Sequence, residues 1–277
     1  MHWQTTRFQI DLTQPKVMGI VNVTPDSFSD GGHHDNTRSA LQHAEHLLKE
    51  GTDILDIGGE STRPGAPTVS LEEELRRVLP MVREAVKWHV PISVDTYKPE
   101  VMHAVLDAGA DIINDIWALR RTGAQKVVAQ HPNCGVCVMH MHGEPQTMQS
   151  LPMQGLALPA VQAFLLQCVN NLQAMGVSRH RIAIDPGVGF GKTVAQNFEL
   201  LAGQAQLLNL QQPLLVGWSR KSSLGAVTGC PVNERLVPSI AAATLAIERG
   251  AHVLRVHDVA ATVQAVKVWQ AAFATIA

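Results

Sequence analysis

Eight short apolar runs in this 277-residue chain end on, or run straight into, polar side chains: Asn22, Glu60 to Arg63, Asp95, Asn114, His140, Asp185, Lys221, and Arg255 with His257. Carboxylates inside such runs, as in ISVDT and IAIDPG, are costly to bury unless a partner or a ligand satisfies them. A whole ring of them reads as the lining of a site rather than as separate structural ion pairs. Arg255 and His257 alternate in VLRVHD, share one side of an extended strand and together suit an anion. Asn22 offers a neutral carbonyl oxygen to Mg2+, an ion that keeps waters and takes further ligands from substrate phosphates. Gly217-Trp218-Ser219-Arg220-Lys221-Ser222 runs from a strand toward a helix N-terminus, whose free N–H groups and dipole can hold a carboxylate.

Two phosphate motifs fail on spacing. Gly187 to Thr193 ends in Gly-Lys-Thr, but the position where a P-loop needs its first glycine is Pro186. Gly187, Gly189 and Gly191 do not match the dinucleotide fingerprint either. His131, Cys134, Cys137 and His140 recur every third residue, like a metal or redox site. On a strand, however, three residues span about 10 Å and turn the two thiols to opposite faces, so buried strand cysteines are expected.

The elements that must position these groups are strands over residues 16–23, 54–59, 91–96, 111–116, 135–140, 181–187, 213–219 and 252–258. Each is followed by a loop and a segment with apolar residues at helical spacing, such as Leu71, Leu75, Val78, Leu79, Val82 and Val86. Eight such units in series predict a parallel sheet closed into a (β/α)8 TIM barrel, with residues 1–277 forming a single domain. Chemistry in this fold sits at the carboxyl ends of the strands, with phosphate usually held after strands 7 and 8. The loops at 25–36, 60–70 and 141–157 read as the longest and suggest lids.

Composition narrows the partners. With 45% hydrophobic and 17% charged residues the chain is globular, and 22 Lys+Arg against 24 Asp+Glu give no bulk attraction for nucleic acid or an anionic membrane. The N-terminal MHWQTTRFQIDLTQ lacks the features of a secretory signal, and no apolar run is bilayer-length, so a cytoplasmic protein is expected. From Pro145 to Ser178 there is no charged residue, although the span carries a helical pattern. That pattern fits a homodimer interface, or else a merely uncharged face turned to solvent.

Taken together, the segments NVTPDSFSDGG, DIGGESTRPGA, SVDT, IINDI, MHMHGEPQTMQ, DPGVGFGK, SRKS and RVHD resemble the dihydropteroate synthase family, in order and over nearly the whole chain. The resemblance implies condensation of (7,8-dihydropterin-6-yl)methyl diphosphate with 4-aminobenzoate in folate biosynthesis. It implies a pterin slot of Asp95, Asn114, Met139, Asp185, Phe190, Gly217 and Lys221. It assigns the diphosphate to Asn22, Thr62, Arg255 and His257 with Mg2+ at Asn22, and 4-aminobenzoate to Thr62, Arg63, Pro64, Ser219 and Ser222. Asp95, Lys221, Arg255 and His257 are the expected catalytic set. Diphosphate is expected to leave first, with Asp95 stabilising the cation and the first two loops excluding water.

His142, Trp218 and the Gly32-His33-His34 continuation depart from the family pattern and bear on loop closure rather than on the reaction. A corrinoid methyltransferase with a pterin-binding barrel would lack SRKS and the STRPG loop, both present here. A non-catalytic homologue that only bound pterin would not need Thr62, Arg63, Arg255 and His257.

Overall fold

The computed structural model describes residues 1–23, 33–61, 65–144, 148 and 150–274. Eight parallel strands carry the architecture: β3 (Lys16–Asn22), β4 (Ile54–Gly58), β5 (Ile92–Asp95), β6 (Ile112–Asp115), β7 (Gly135–Met139), β8 (Ile182–Asp185), β9 (Leu215–Val216) and β10 (Val253–Val256). Their order is β8-β7-β6-β5-β4-β3-β10-β9, and a parallel bridge between Ile184 and Leu214 joins the two ends. The result is the TIM barrel expected from the strand–helix count. Each expected strand contains one observed strand.

The helices are α1 (His33–Lys49), α2 (Leu71–Ala85), α3 (Pro99–Asp107), α4 (Ala124–Gln130), α5 (Ala157–Ala174), α6 (Val194–Gly203), α7 (Ser222–Thr228), α8 (Leu236–Glu248) and α9 (Val259–Ala274). Local chemistry sets several starts. Ser70 caps α2 by accepting from the Glu73 N–H, and three glutamates fill its first turn, where the helix dipole favours them. Thr193 and Gln196 form a reciprocal capping box at α6. Pro99 begins α3 at a position where its missing N–H costs nothing.

Alternation along the strands divides the core in two. Val17, Val21, Leu55, Ile57, Ile92, Val94, Val136, Val138, Ile182 and Ile184 face the helices in one large apolar cluster. Met18, Ile54, Ile112, Cys137, Ala183, Leu215 and Val253 fill the barrel interior in another.

An antiparallel pair absent from the sequence reading, β1 (His2–Gln4) and β2 (Gln9–Asp11), closes the amino-terminal end. Its Trp3 is fully buried against the interior cluster and donates its indole N–H to the Arg181 carbonyl at 2.9 Å. This apolar floor confines any solute to the opposite mouth. Among the described residues no helix is long and apolar enough to cross a membrane.

Candidate active site

The polar ring follows from the same period of two. Two residues beyond the apolar floor, on the same side of each strand, come Asp56, Asn114, Met139, Asp185, Gly217 and Arg255, with Asp95 in register beside Asn114. The sequence therefore stacks a layer of charge directly on a layer of hydrocarbon.

Arg255 organises that layer. Its Nε donates to Asp56 Oδ2 at 2.6 Å and its second guanidinium nitrogen to Asp95 Oδ2 at 2.8 Å. Asn114 Nδ2 lies 3.4 and 3.3 Å from the two Asp56 oxygens. Asp95 is only 6% exposed, yet its Oδ1 has no hydrogen-bond partner among the described residues. Burial, together with the neighbouring Asp56 charge, pushes its carboxyl up from 3.8 to about 7 against the pull of Arg255. Burial also works against the Arg255 charge, but Asp56 and Asp95 more than offset it and hold the guanidinium firmly protonated.

On the far side, Asp185 Oδ1 accepts from the Gly187 N–H at 2.7 Å. Burial raises its carboxyl, opposed by that hydrogen bond and by Lys221. Lys221, the N-cap residue of α7, places Nζ 4.4 Å from the Phe190 ring centre. Burial lowers its ammonium to about 8, opposed by Asp185. Tyr97, Ile116, Met139, Met141, Met148 and Phe190 pack as a separate apolar cluster with Trp117 against it. A flat, partly polar heterocycle suits this combination of apolar walls and convergent carboxylate, amide and ammonium groups.

The loops after β7 and β8 touch through backbone. A Cβ on Gly187 would sit 1.9 Å from the His140 carbonyl oxygen and one on Gly191 2.1 Å from that of His142, and both glycines have positive φ. Lys192 bridges the same loops: its Nζ donates to the carbonyls of His140 at 3.2 Å, Gly187 at 2.8 Å and Phe190 at 3.1 Å.

On the β9–β10 side, Ser219 Oγ and His257 Nδ1 are 3.0 Å apart, and the His257 N–H donates to Ser219 Oγ at 3.1 Å. Ser222 opens α7 and is exposed. Asn22 ends β3, partly buried, and its Oδ1 is 3.8 Å from where a Cβ on Gly58 would lie. Among the described residues no group of three His, Cys, Asp or Glu side chains is placed to hold a metal ion.

Asn22, Asp95, Asn114, Met139, Asp185, Phe190, Gly217, Ser219, Lys221, Arg255 and His257 thus all belong to strand ends of the barrel or to the loops that follow them, and Ser222 to the first position of α7. Thr62, Arg63 and Pro64 lie outside the described residues. His140 leaves the ring: one residue past inward-facing Met139, it turns outward and meets Phe164 of α5 edge-on at 5.0 Å. Trp218 likewise faces outward, buried against Phe198 at 5.5 Å, and His142 is exposed. Cys134 packs in the outer core and Cys137 in the barrel interior, both as free thiols, as the strand geometry requires.

Two central residues escape the sequence reading. Asp56, in ILDIG, carried the same signal as Asp95, a carboxylate inside an apolar run. Lys192 was visible only as the lysine of a failed P-loop.

The chain matches the model of the family described as pterin binding enzyme over residues 18–257. It is 49% identical over 275 residues to the dihydropteroate synthase of Neisseria meningitidis serogroup B, covering 97% of this chain and 96% of that one. Among solved structures, Burkholderia cenocepacia dihydropteroate synthase complexed with 7,8-dihydropteroate superposes with a TM-score of 0.90 at 49% identity, covering 99% and 97% of the two chains. Xanthomonas albilineans dihydropteroate synthase with 4-aminobenzoic acid does so with a TM-score of 0.91 at 49% identity, covering 96% of each.

Proposed function

The chain belongs to the dihydropteroate synthases, within the pterin binding enzymes, and from that membership we propose how its own residues divide the work. The enzyme transfers a pterinylmethyl group: (7,8-dihydropterin-6-yl)methyl diphosphate and 4-aminobenzoate give 7,8-dihydropteroate and diphosphate, in folate biosynthesis.

The observation that carries the assignment of roles is the open Asp95 Oδ1 above an Arg255 already held by two carboxylates. Asp185 accepts the planar pair of pterin N–H donors, a bidentate match that an apolar slot would not discriminate. Asn114 and Lys221 serve the other polar edges, while Met139, Phe190 and Gly217 shape the slot. The bond from the methylene carbon to the diphosphate oxygen breaks first, and its electron pair leaves with the oxygen. Asp95, ionised, stabilises the pterin-conjugated cation. Arg255 and His257 hold the departing diphosphate. The amine lone pair of 4-aminobenzoate then forms the new C–N bond, and the extra amine proton passes to water. Thr62, Arg63, Pro64, Ser219 and Ser222 hold the aminobenzoate, with the 3.0 Å Ser219–His257 contact joining this set to the diphosphate set.

A single neutral carbonyl at Asn22, with no carboxylate cluster among the described residues, fits Mg2+ that arrives with the diphosphate rather than an ion caged by protein. When bound, Mg2+ neutralises leaving-group charge.

We also propose a homodimer. The uncharged 145–178 span was expected to supply its face, but Leu166 and Met175, nine residues apart on that helical run, project to opposite sides. On α8, Val237 is 76% and Leu245 40% exposed, with Ala241 exposed midway at four-residue spacing. That stripe is the better candidate, and sedimentation at micromolar concentration showing only a 30.0 kDa species overturns the dimer. Free cysteines throughout support the cytoplasm as location.

The deciding experiment combines the protein with the pterin diphosphate, 4-aminobenzoate and Mg2+ and measures dihydropteroate. Absence of product from folded protein overturns the reading.

A further inference from the structure

The chain leaves β6 through two left-handed residues that are not glycine. Ala118 and Leu119 have φ of 52° and 58°, a region that L side chains enter at a cost and normally one residue at a time. The turn divides two apolar layers. Ile116 lies in the cluster that walls the mouth and Trp117 packs against it, whereas Ala118 and Leu119 are buried in the cluster under the helices. One side chain holds the crossing. Asp115, fully buried at the end of β6, accepts from the Trp117 N–H at 2.7 Å and from the Leu119 N–H at 2.8 Å through its two carboxylate oxygens. Its carbonyl accepts from the Ala118 N–H between them at 3.0 Å. Arg120 closes the turn, donating to the Trp117 carbonyl from its N–H at 3.2 Å and from Nε at 2.9 Å. The Trp117 ring centre has the Arg121 guanidinium at 4.6 Å and the Tyr97 ring at 5.8 Å.

Burying a carboxylate is costly, and burial pushes Asp115 up to about 7 against the pull of those two N–H groups. Two strained residues next to it add to the cost. What the arrangement secures is geometry: the residues before the turn stay at the mouth while those after it dive beneath the helices. Asn114, one residue before Asp115, belongs to the polar ring, and Met139 and Phe190 share the Ile116 cluster. We propose that Asp115 is a positioning residue for the pterin: by holding the Trp117 and Leu119 N–H groups in a double left-handed turn it keeps Ile116 and Trp117 in the apolar wall of the slot, and so sets affinity for the pterin rather than for 4-aminobenzoate. This rests on the assignment of the slot at Met139 and Phe190 to the pterin.

The test measures KM for each substrate and thermal unfolding for Asp115→Asn, Ala118→Gly, the double variant and Phe190→Ala. Asp115→Asn keeps the volume but turns a donor toward one of the two N–H groups. It is expected to raise the KM for the pterin diphosphate by about tenfold, with the KM for 4-aminobenzoate within about twofold of the parent. Ala118→Gly relieves one left-handed residue and is expected to leave both KM values within about twofold. In the double variant it recovers most of the lost pterin affinity, because the turn then forms without the carboxylate to hold it. The Asp115 charge also raises the Asp95 carboxyl, and the rescue separates the turn from that charge, which the double variant does not restore. Equal changes in both KM values, no change in either, or a raised pterin KM that Ala118→Gly fails to rescue overturn the positioning role. If Asp115→Asn does not fold, Trp117→Ala carries the test: a selective rise in the pterin KM supports the proposal and an unmoved one overturns it. A pterin KM unmoved by Phe190→Ala overturns the slot assignment and the proposal with it, whereas a parent that makes no dihydropteroate overturns the reaction itself.

Discussion

Arg255 Nε lies 2.6 Å from Asp56 Oδ2, so the guanidinium proposed to hold the diphosphate is fixed by a carboxylate with no exposure of its own. Asp56 also lies within hydrogen-bond distance of Asn114. One interior residue therefore aligns both Arg255, proposed for the leaving group, and Asn114, proposed for the pterin. Asp56→Asn keeps the volume but removes the charge, leaving a half-buried guanidinium short of a partner. It is expected to lower stability by ~3 kcal/mol, read by denaturant unfolding. The accompanying loss in kcat/KM for the pterin diphosphate should exceed tenfold, about 1.4 kcal/mol of transition-state stabilisation.

The role proposed for Asp95 is to act on charge that appears only in the transition state. Asp95→Asn is expected to lower kcat by about 10²–10³, the scale for one preorganised electrostatic group, while pterin affinity changes less than tenfold. Steady-state kinetics with calorimetry separates the two, and an equal loss in both would falsify the role.

The raised Asp95 carboxyl also predicts a pH dependence. Only the ionised form stabilises a cation, so kcat/KM for the pterin diphosphate should rise with pH through an apparent value of about 7 in the free enzyme. Stability moves the other way. Between 3.8 and about 7 the folded chain holds a proton at Asp95 that the unfolded chain has released, so unfolding releases protons and stability falls as pH rises through that window. Buried Asp115, likewise pushed to about 7, adds to the same slope. Asp95→Asn should flatten both the kinetic limb and part of the stability slope.

Gly187 and Gly191 hold positive φ with a carbonyl oxygen about where a Cβ would go. Gly187→Ala must both strain the backbone and push the β8 loop off the β7 loop. A cost of ~3 kcal/mol is expected from overpacking plus strain, with pterin binding lost before aminobenzoate binding. Near-parental stability would show that these loops separate more easily than their contact implies.

The barrel and most of its polar ring were legible because period-two alternation is a strong local signal: it fixes which of Asp95, Asn114, Asp185 and Arg255 share a side without knowledge of their partners. His140 shows the limit. It stands one residue past inward-facing Met139, and that single step of parity sends it to Phe164 instead of the mouth. The amino-terminal pair was missed because three-residue strands carry too little pattern, and Trp3 reveals its role only once the floor it covers exists. Asp56 carries the same local signal as Asp95, a carboxylate inside an apolar run, whereas Lys192 shows no such pattern: it gains its role from the tie to His140, 52 residues away, that joins its own loop to the one after β7.

Lys192 gives the last prediction. Lys192 is 3% exposed, and its Nζ donates to three carbonyls drawn from the loops after β7 and β8. Lys192→Met matches its length and apolar stem but donates nothing, so the His140 and Phe190 carbonyls lose this donor, the Gly187 carbonyl keeps only the Phe190 N–H, and the two loops lose their shared tie. Leaving buried carbonyls unsatisfied costs roughly 1–3 kcal/mol each before relaxation, and a net destabilisation of ~3 kcal/mol is expected by denaturant unfolding. Because Phe190 and Gly187 belong to the released segment, the KM for the pterin diphosphate should rise more than that for 4-aminobenzoate. The opposite order, or stability unchanged within about 0.5 kcal/mol, would mean that the tie contributes nothing beyond what the Gly187 and Gly191 backbone contacts already secure.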